Sequence, residues 1–263
     1  MRILLVVLSL ILFSVPAYAK RNTYRAKVAR TPDFLQTDRD AGFANSGSQY
    51  CAPTAVSNSL MALAAGGYDE LRPAGIVGSK RAQIAMIRSL SASMKTSAAI
   101  GTDASQLLRG VEAYVTEAGY SIAELSYEGW RPVPSDYEAG EVPDLDDIRT
   151  AIADDQSAVW LNVGWYTWNE DTEAYVRNGG HWVTVVGYDG DDLLIHDPSP
   201  AAGSGSGVRT QKISIEELTE GTLAGKQTNL PRSAEGYYEL GGEMAVAAGK
   251  TCILDGAVFL RLE

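Results

Sequence analysis

Three side chains in this sequence form a set that could break or make an acyl bond: Cys51, His181 and Asp197. A thiol attacks a carbonyl as its thiolate, and the unpaired N–H groups at a helix start stabilise that anion. Cys51 opens a segment of helical period, with Val56, Leu60, Leu63 and Ala64 on one face, Pro53 in the first turn and Gly66-Gly67 as the stop. An imidazole must then take the proton, and a third polar group must hold the ring in the right tautomer. The chain has two histidines. His181 follows Gly179-Gly180, which would leave room for a substrate backbone, whereas His196 adjoins Asp197 in a strand and would point to the opposite face. His181 is therefore the expected base, Asp197 its orienting acid with Asn162 as the alternative, and His196 a structural or surface residue.

The elements that must position these groups divide the chain in two. Helical stretches are predicted from Cys51, over Ala82 to about Met94, over Asp103 to about Ala118, and from Leu145 after an Asp144 cap. Trp130 to Pro143 reads as a connection. Strand patterns follow at Ala158–Tyr166, Trp182–Tyr188, Leu193–Ile195, Val208–Ile215, Cys252–Leu254 and Ala257–Leu262. Asp189-Gly190-Asp191-Asp192 is a hairpin turn, which sets His181 and Asp197 at the outer ends of two paired strands. Residues 20–48 read as an arm and a loop, and Gly203–Gly207 as a flexible surface loop. The expected class is α+β, helical over about 45–154 and antiparallel β over about 158–263.

Met1-Arg2, the apolar run Ile3–Val15 and Pro16-Ala17-Tyr18-Ala19 have the form of a secretory signal peptide cut after Ala19. Residues 20–263 then make one domain, exported to a bacterial periplasm or beyond the cell, with no stable membrane anchor. The formal charge is −11, and −12 once Arg2 has left, which excludes nucleic acid as a partner. Cys51 and Cys252 are the only cysteines, so composition alone suggests a disulfide in an oxidising compartment. The surroundings of Cys51 argue for a free nucleophile and an inert, buried Cys252. No C-x-x-C or H-x-x-x-H pair is present, so no metal or cofactor is implied.

Gln49-Tyr50-Cys51-Ala52-Pro53-Thr54-Ala55 resembles the nucleophile segment of the bacteriocin-leader-processing (double-glycine) peptidases and their stand-alone relatives. Gly180-His181-Trp182-Val183-Thr184-Val185-Val186-Gly187-Tyr188-Asp189 resembles that family's histidine strand, and Ile195-His196-Asp197-Pro198 its Asp-Pro segment. The resemblance covers about residues 45–200. It implies a papain-like fold and a thiol peptidase acting on a peptide or protein through a Cys-His-Asp triad and an acyl-thioester. A transpeptidase or isopeptidase on the same triad, or a silent binding protein of the envelope, are the alternatives. Ala52 stands where the family has glycine. The family's oxyanion glutamine has two counterparts, Asn45 by spacing and Gln49 by residue type. Gly180, Trp182 and Trp165 are expected near the substrate.

Overall fold

The computed structural model describes residues 22–199, 209–225, 228–245 and 249–263. The signal segment and Gly203–Gly207 lie outside them. In chain order the elements are β1 (Thr23–Tyr24), α1 (Cys51–Ala65), α2 (Ser79–Ser93), α3 (Ala104–Glu117), β2 (Ile122–Gly129), β3 (Glu138–Gly140) and α4 (Leu145–Ala153). Then come β4 (Ser157–Asn169), β5 (Ala174–Asp189), β6 (Asp192–His196), β7 (Gln211–Ile213), β8 (Ile215–Glu217), β9 (Thr222–Gly225), β10 (Thr228–Ser233), β11 (Tyr238–Leu240) and β12 (Lys250–Leu262). Helices dominate the first half and a mixed sheet the second, the α+β arrangement expected.

The α-helices of the described residues start within three residues of where the sequence placed them, and two of them are fixed by local caps. Asp103 and Gln106 form a reciprocal capping box at α3, and Asp144 accepts from Asp146 N and Asp147 N at α4. The hairpin between β5 and β6 turns through Gly190, whose φ of +65° suits glycine, and pairs Asp189 with Asp192.

The sheet runs β10-β9-β5-β4-β12-β11-β8, with β6 and β1 also on β5, β7 on β6 and β2 on β12. Most pairs are antiparallel, but β5–β9 and β2–β3 are parallel. Two strands, β2 and β3, fall inside the stretch expected to be helical. β2 reads Ile-Ala-Glu-Leu-Ser-Tyr-Glu-Gly with little apolar pattern, and what makes it a strand is its long pairing with β12 at the other end of the chain. Tertiary pairing here overrides weak local preference.

Central strands are covered on both faces. Ala158, Trp160, Trp182 and Val258 pack with α1, α2 and α3, while Val159, Leu161, Val163, Val183 and Val185 pack with Ile148 and Ile152 of α4. The alternation is the period-two pleat of a strand. The first layer is fixed to the sheet by the Thr184 hydroxyl, which donates to Ala55 O at 2.7 Å, and by Trp182 Nε1, which donates to Thr102 O at 3.0 Å. Both bonds join β5 to the region around the start of α1 and α3.

Candidate active site

Cys51 stands at the first turn of α1 with a free, partly buried thiol. Tyr50 precedes the helix and offers no side-chain cap, and the first bond of the turn is Thr54 N to Tyr50 O at 3.1 Å. Pro53 has no N–H to leave unpaired. The donors of Cys51 and Ala52 thus face the helix entrance without a capping side chain, where the helix dipole favours negative charge.

His181 lies inside β5, opposite Val163 of β4, and is 7% exposed. Its Nε2 lies 2.5 Å from Asp197 Oδ1, and the same carboxylate oxygen accepts from Ser199 N at 2.8 Å. Cys51 lines the same cleft and acts electrostatically on the imidazole alongside Asp197. Burial alone would favour the neutral ring. Asp197 first and Cys51 second outweigh it, and the imidazolium pKa is held up at about 10. Asp33 approaches from the N-terminal arm; burial raises its carboxyl to about 6, with the nearby Asp197 charge adding to the rise and Arg209 N opposing it.

The position of His181 differs from expectation. β5 is 16 residues long and begins at Ala174, so Gly179 and Gly180 belong to the strand and not to a loop before it. The cause is β4, which runs on to Asn169 and gives residues 174–180 a ladder partner. Nor does Gly180 leave open room. A Cβ built there would lie 1.9 Å from Arg177 Nη2, so a guanidinium already fills that space.

A cleft of about 440 Å³ holds Cys51, His181, Gln49, Asn162, Gly180 and Trp182 on its walls. Asn45 is not among them: it is exposed, and its amide donates to Ser48 Oγ at 2.8 Å and Ala98 O at 3.2 Å. Asn162 reaches the backbone oxygen of His181 at 3.5 Å rather than the ring. Trp165 leans on the imidazole with ring centroids 5.6 Å apart and takes no part in the cleft wall.

The other sensitive residues are structural. His196 is fully buried, with Nδ1 3.1 Å from Pro32 O and Nε2 3.1 Å from Thr210 Oγ1, and burial lowers its pKa. Nδ1 must carry the proton, since a carbonyl only accepts. Cys252 lies in β12 opposite Trp165, buried and unpaired, and burial pushes its thiol up to about 12. Among the described residues no group of three or more His, Cys, Asp or Glu could hold a metal ion, and no helix is long and apolar enough to cross a membrane.

Four residues that frame the site were not found in the sequence. Gln36 donates from its backbone to Pro198 O at 2.9 Å and from its amide to Gly47 O and Ser48 O at 3.0 Å each, so it joins the Asp-Pro segment to the loop before Cys51. Arg131 and Arg177 line the cleft, and Asp255 lies beneath them with no exposed surface. Asp255 binds Arg177 Nε at 2.6 Å, Trp130 Nε1 at 3.0 Å and the Tyr166 hydroxyl. Only Asp255 left a signal, an acid inside the apolar run of β12, which a core admits only with partners.

A first helix that opens at a cysteine, packed across a mixed sheet whose long hairpin carries the histidine, is the papain-like cysteine-peptidase architecture. The chain belongs to the Peptidase_C39 like family, whose model matches residues 29–217. No curated protein matches it. Family and fold together support a cysteine-type hydrolase. The match ends before β12 and therefore before Asp255.

Proposed function

We propose that the chain is an exported cysteine peptidase, its mature part a single domain over residues 20–263, with Cys51 as nucleophile, His181 as general base and acid, and Asp197 as the residue that orients the imidazole. The contact of His181 Nε2 with Asp197 at 2.5 Å, on a ring that shares its cleft with Cys51, carries this reading. Nε2 is occupied by the carboxylate, which leaves Nδ1 for the sulfur.

The Cys51 thiolate attacks the carbonyl carbon of a peptide bond, and its charge passes to the carbonyl oxygen. The Cys51 N–H and the Gln49 amide are the donors at hand for that oxyanion. As the tetrahedral species collapses to a thioester, the imidazolium gives its proton to the leaving amine. His181 then takes a proton from water, hydroxide adds to the thioester, and the acid product leaves as the thiol regains its proton. Binding to Asp197 keeps the ring from turning and stabilises its charged form.

The test is selective labelling. A thiol-directed acylating probe should label Cys51 and not Cys252 in the native protein and both after denaturation. Cys51→Ala should abolish cleavage of a peptide substrate and leave the melting temperature nearly unchanged, whereas Cys252→Ala should retain cleavage and cost about 1 kcal/mol for the small cavity. Equal native labelling of both thiols, or full activity in Cys51→Ala, would sink the reading.

A further inference from the structure

Asn162 stands in the buried part of β4, is 6% exposed, and lines the cleft that holds Cys51 and His181. A desolvated amide costs stability unless its donor and acceptor atoms are satisfied. Its two cross-strand neighbours satisfy neither. Trp182 of β5 gives its Nε1 hydrogen to Thr102 O at 3.0 Å, and Gly256 of β12 has no side chain. The Asn162 Nδ2 reaches His181 O at 3.5 Å, beyond the roughly 2.7–3.2 Å of a full N–H···O bond. Among the described residues nothing donates to Asn162 Oδ1.

The contact with His181 O, though long, decides how the amide is turned. A carbonyl only accepts, so the nitrogen faces it and Oδ1 is left as an acceptor on the cleft wall, beside the backbone of the catalytic base. Acceptors on the α3 side of the cleft are already engaged. The Asp103 carboxylate takes Gln106 N at 2.8 Å, Gln106 Oε1 takes Asp103 N at 3.0 Å, and the Thr102 hydroxyl bonds that of Thr96 at 2.8 Å. What Asn162 Oδ1 takes must carry a hydrogen and no charge. A carboxylate brings only lone pairs, and an ammonium would give up its hydration for a single neutral acceptor.

Resting on the peptidase reading, we propose that Asn162 is a substrate-contacting residue, whose Oδ1 accepts from a neutral N–H of the peptide close to the bond that is cleaved. The chemistry is shared by the side-chain amide of an Asn or Gln and by a main-chain N–H of the substrate.

The experiment uses the Cys51→Ala chain, immobilised, and a pool of N-acetyl hexapeptide amides made in matched pairs. Gln is set against Met at each position, which keeps the side-chain shape and removes the N–H, and each backbone amide is set against an ester, which puts oxygen in place of N–H. Retained peptides are counted by mass spectrometry. At one position the N–H member should be retained roughly tenfold over its twin, the size of one hydrogen bond to a desolvated acceptor. Preference for Gln over Met assigns the donor to a side chain, and preference for amide over ester assigns it to the main chain. Equal retention of all twins, or retention of none, overturns the proposal. In the background of Cys51→Ala, Asn162→Leu should erase that preference, since leucine fills the same space and accepts nothing, and a folded variant that keeps it overturns the proposal too. Should the leucine variant fail to fold, Asn162→Ala is read in its place; failure of both would show that the fold itself needs the amide and would overturn the proposal as well. Wild-type protein that cleaves no member of the pool, while Cys51→Ala still prefers N–H members through Asn162, would remove the peptidase reading and leave Asn162 as a peptide-binding residue.

Discussion

Arg177 and Gly180 occupy one another's space: the guanidinium that grips Asp255 lies where a side chain at position 180 would begin, with Nη2 1.9 Å from the built Cβ. The neighbouring glycine is different. A Cβ at Gly179 would meet only the Trp165 ring, at 3.9 Å.

Two adjacent Gly→Ala changes should therefore separate. Gly179→Ala should be nearly silent, whereas Gly180→Ala must displace Arg177 and strip a buried carboxylate of its cation, at a cost of about 3 kcal/mol. Chemical denaturation of both variants reads the difference. Equal stability of the two would mean that the Arg177–Asp255 pair carries no weight.

Asp197→Asn should keep the fold, since an amide oxygen can still accept from Ser199 N. The ring, however, loses the charge that stabilises imidazolium and the acceptor that sets its tautomer. Turnover should fall about 10³-fold or more, as when an orienting acid is lost from a triad. A variant with undiminished kcat would move the orienting role elsewhere, and Asn162 would be tested next.

The pH profile should carry the signature of His181. Its folded pKa, about 10, lies above the ordinary value of 6.5, so its stabilisation is complete below pH 6.5 and is lost as pH rises toward 10. Lys27 acts in the opposite sense between about 8 and its ordinary 10.5, because burial lowers its amine and deprotonation then favours the folded form. Subtracting the profile of Asp197→Asn cancels Lys27 and should leave the decline due to His181. On the activity side, kcat/KM should hold until the imidazolium is lost near pH 10. An upper limb near 6.5 would contradict the coupling to Asp197.

The two oxyanion candidates predict opposite results. Gln49 shares the cleft with Cys51, while Asn45 spends its amide on Ser48 and Ala98. Gln49→Ala should lower kcat about 10²-fold with little change in KM, and Asn45→Ala should leave kcat within a few-fold. A large kcat effect at Asn45 alone would reverse the assignment.

The sequence by itself determined the local parts: a cysteine opening a helix, caps at Asp103 and Asp144, a two-residue hairpin at Gly190, and hence the pairing of a histidine with an acid 16 positions on. Each depends on neighbours a few residues away, and turn and cap chemistry are written at that range. What only the tertiary structure decided are relations that cross the chain. The strand character of β2 comes from β12, the extension of β5 past Gly179 comes from β4, and the Gln36 clamp joins the arm to two loops. Asp255 and Arg177 lie 78 positions apart, yet together they explain why residue 180 has no side chain. Glycine beside a histidine suggests open space when read along the chain. Whether that space is open or filled depends on which distant side chain folds into it, and no local pattern encodes that.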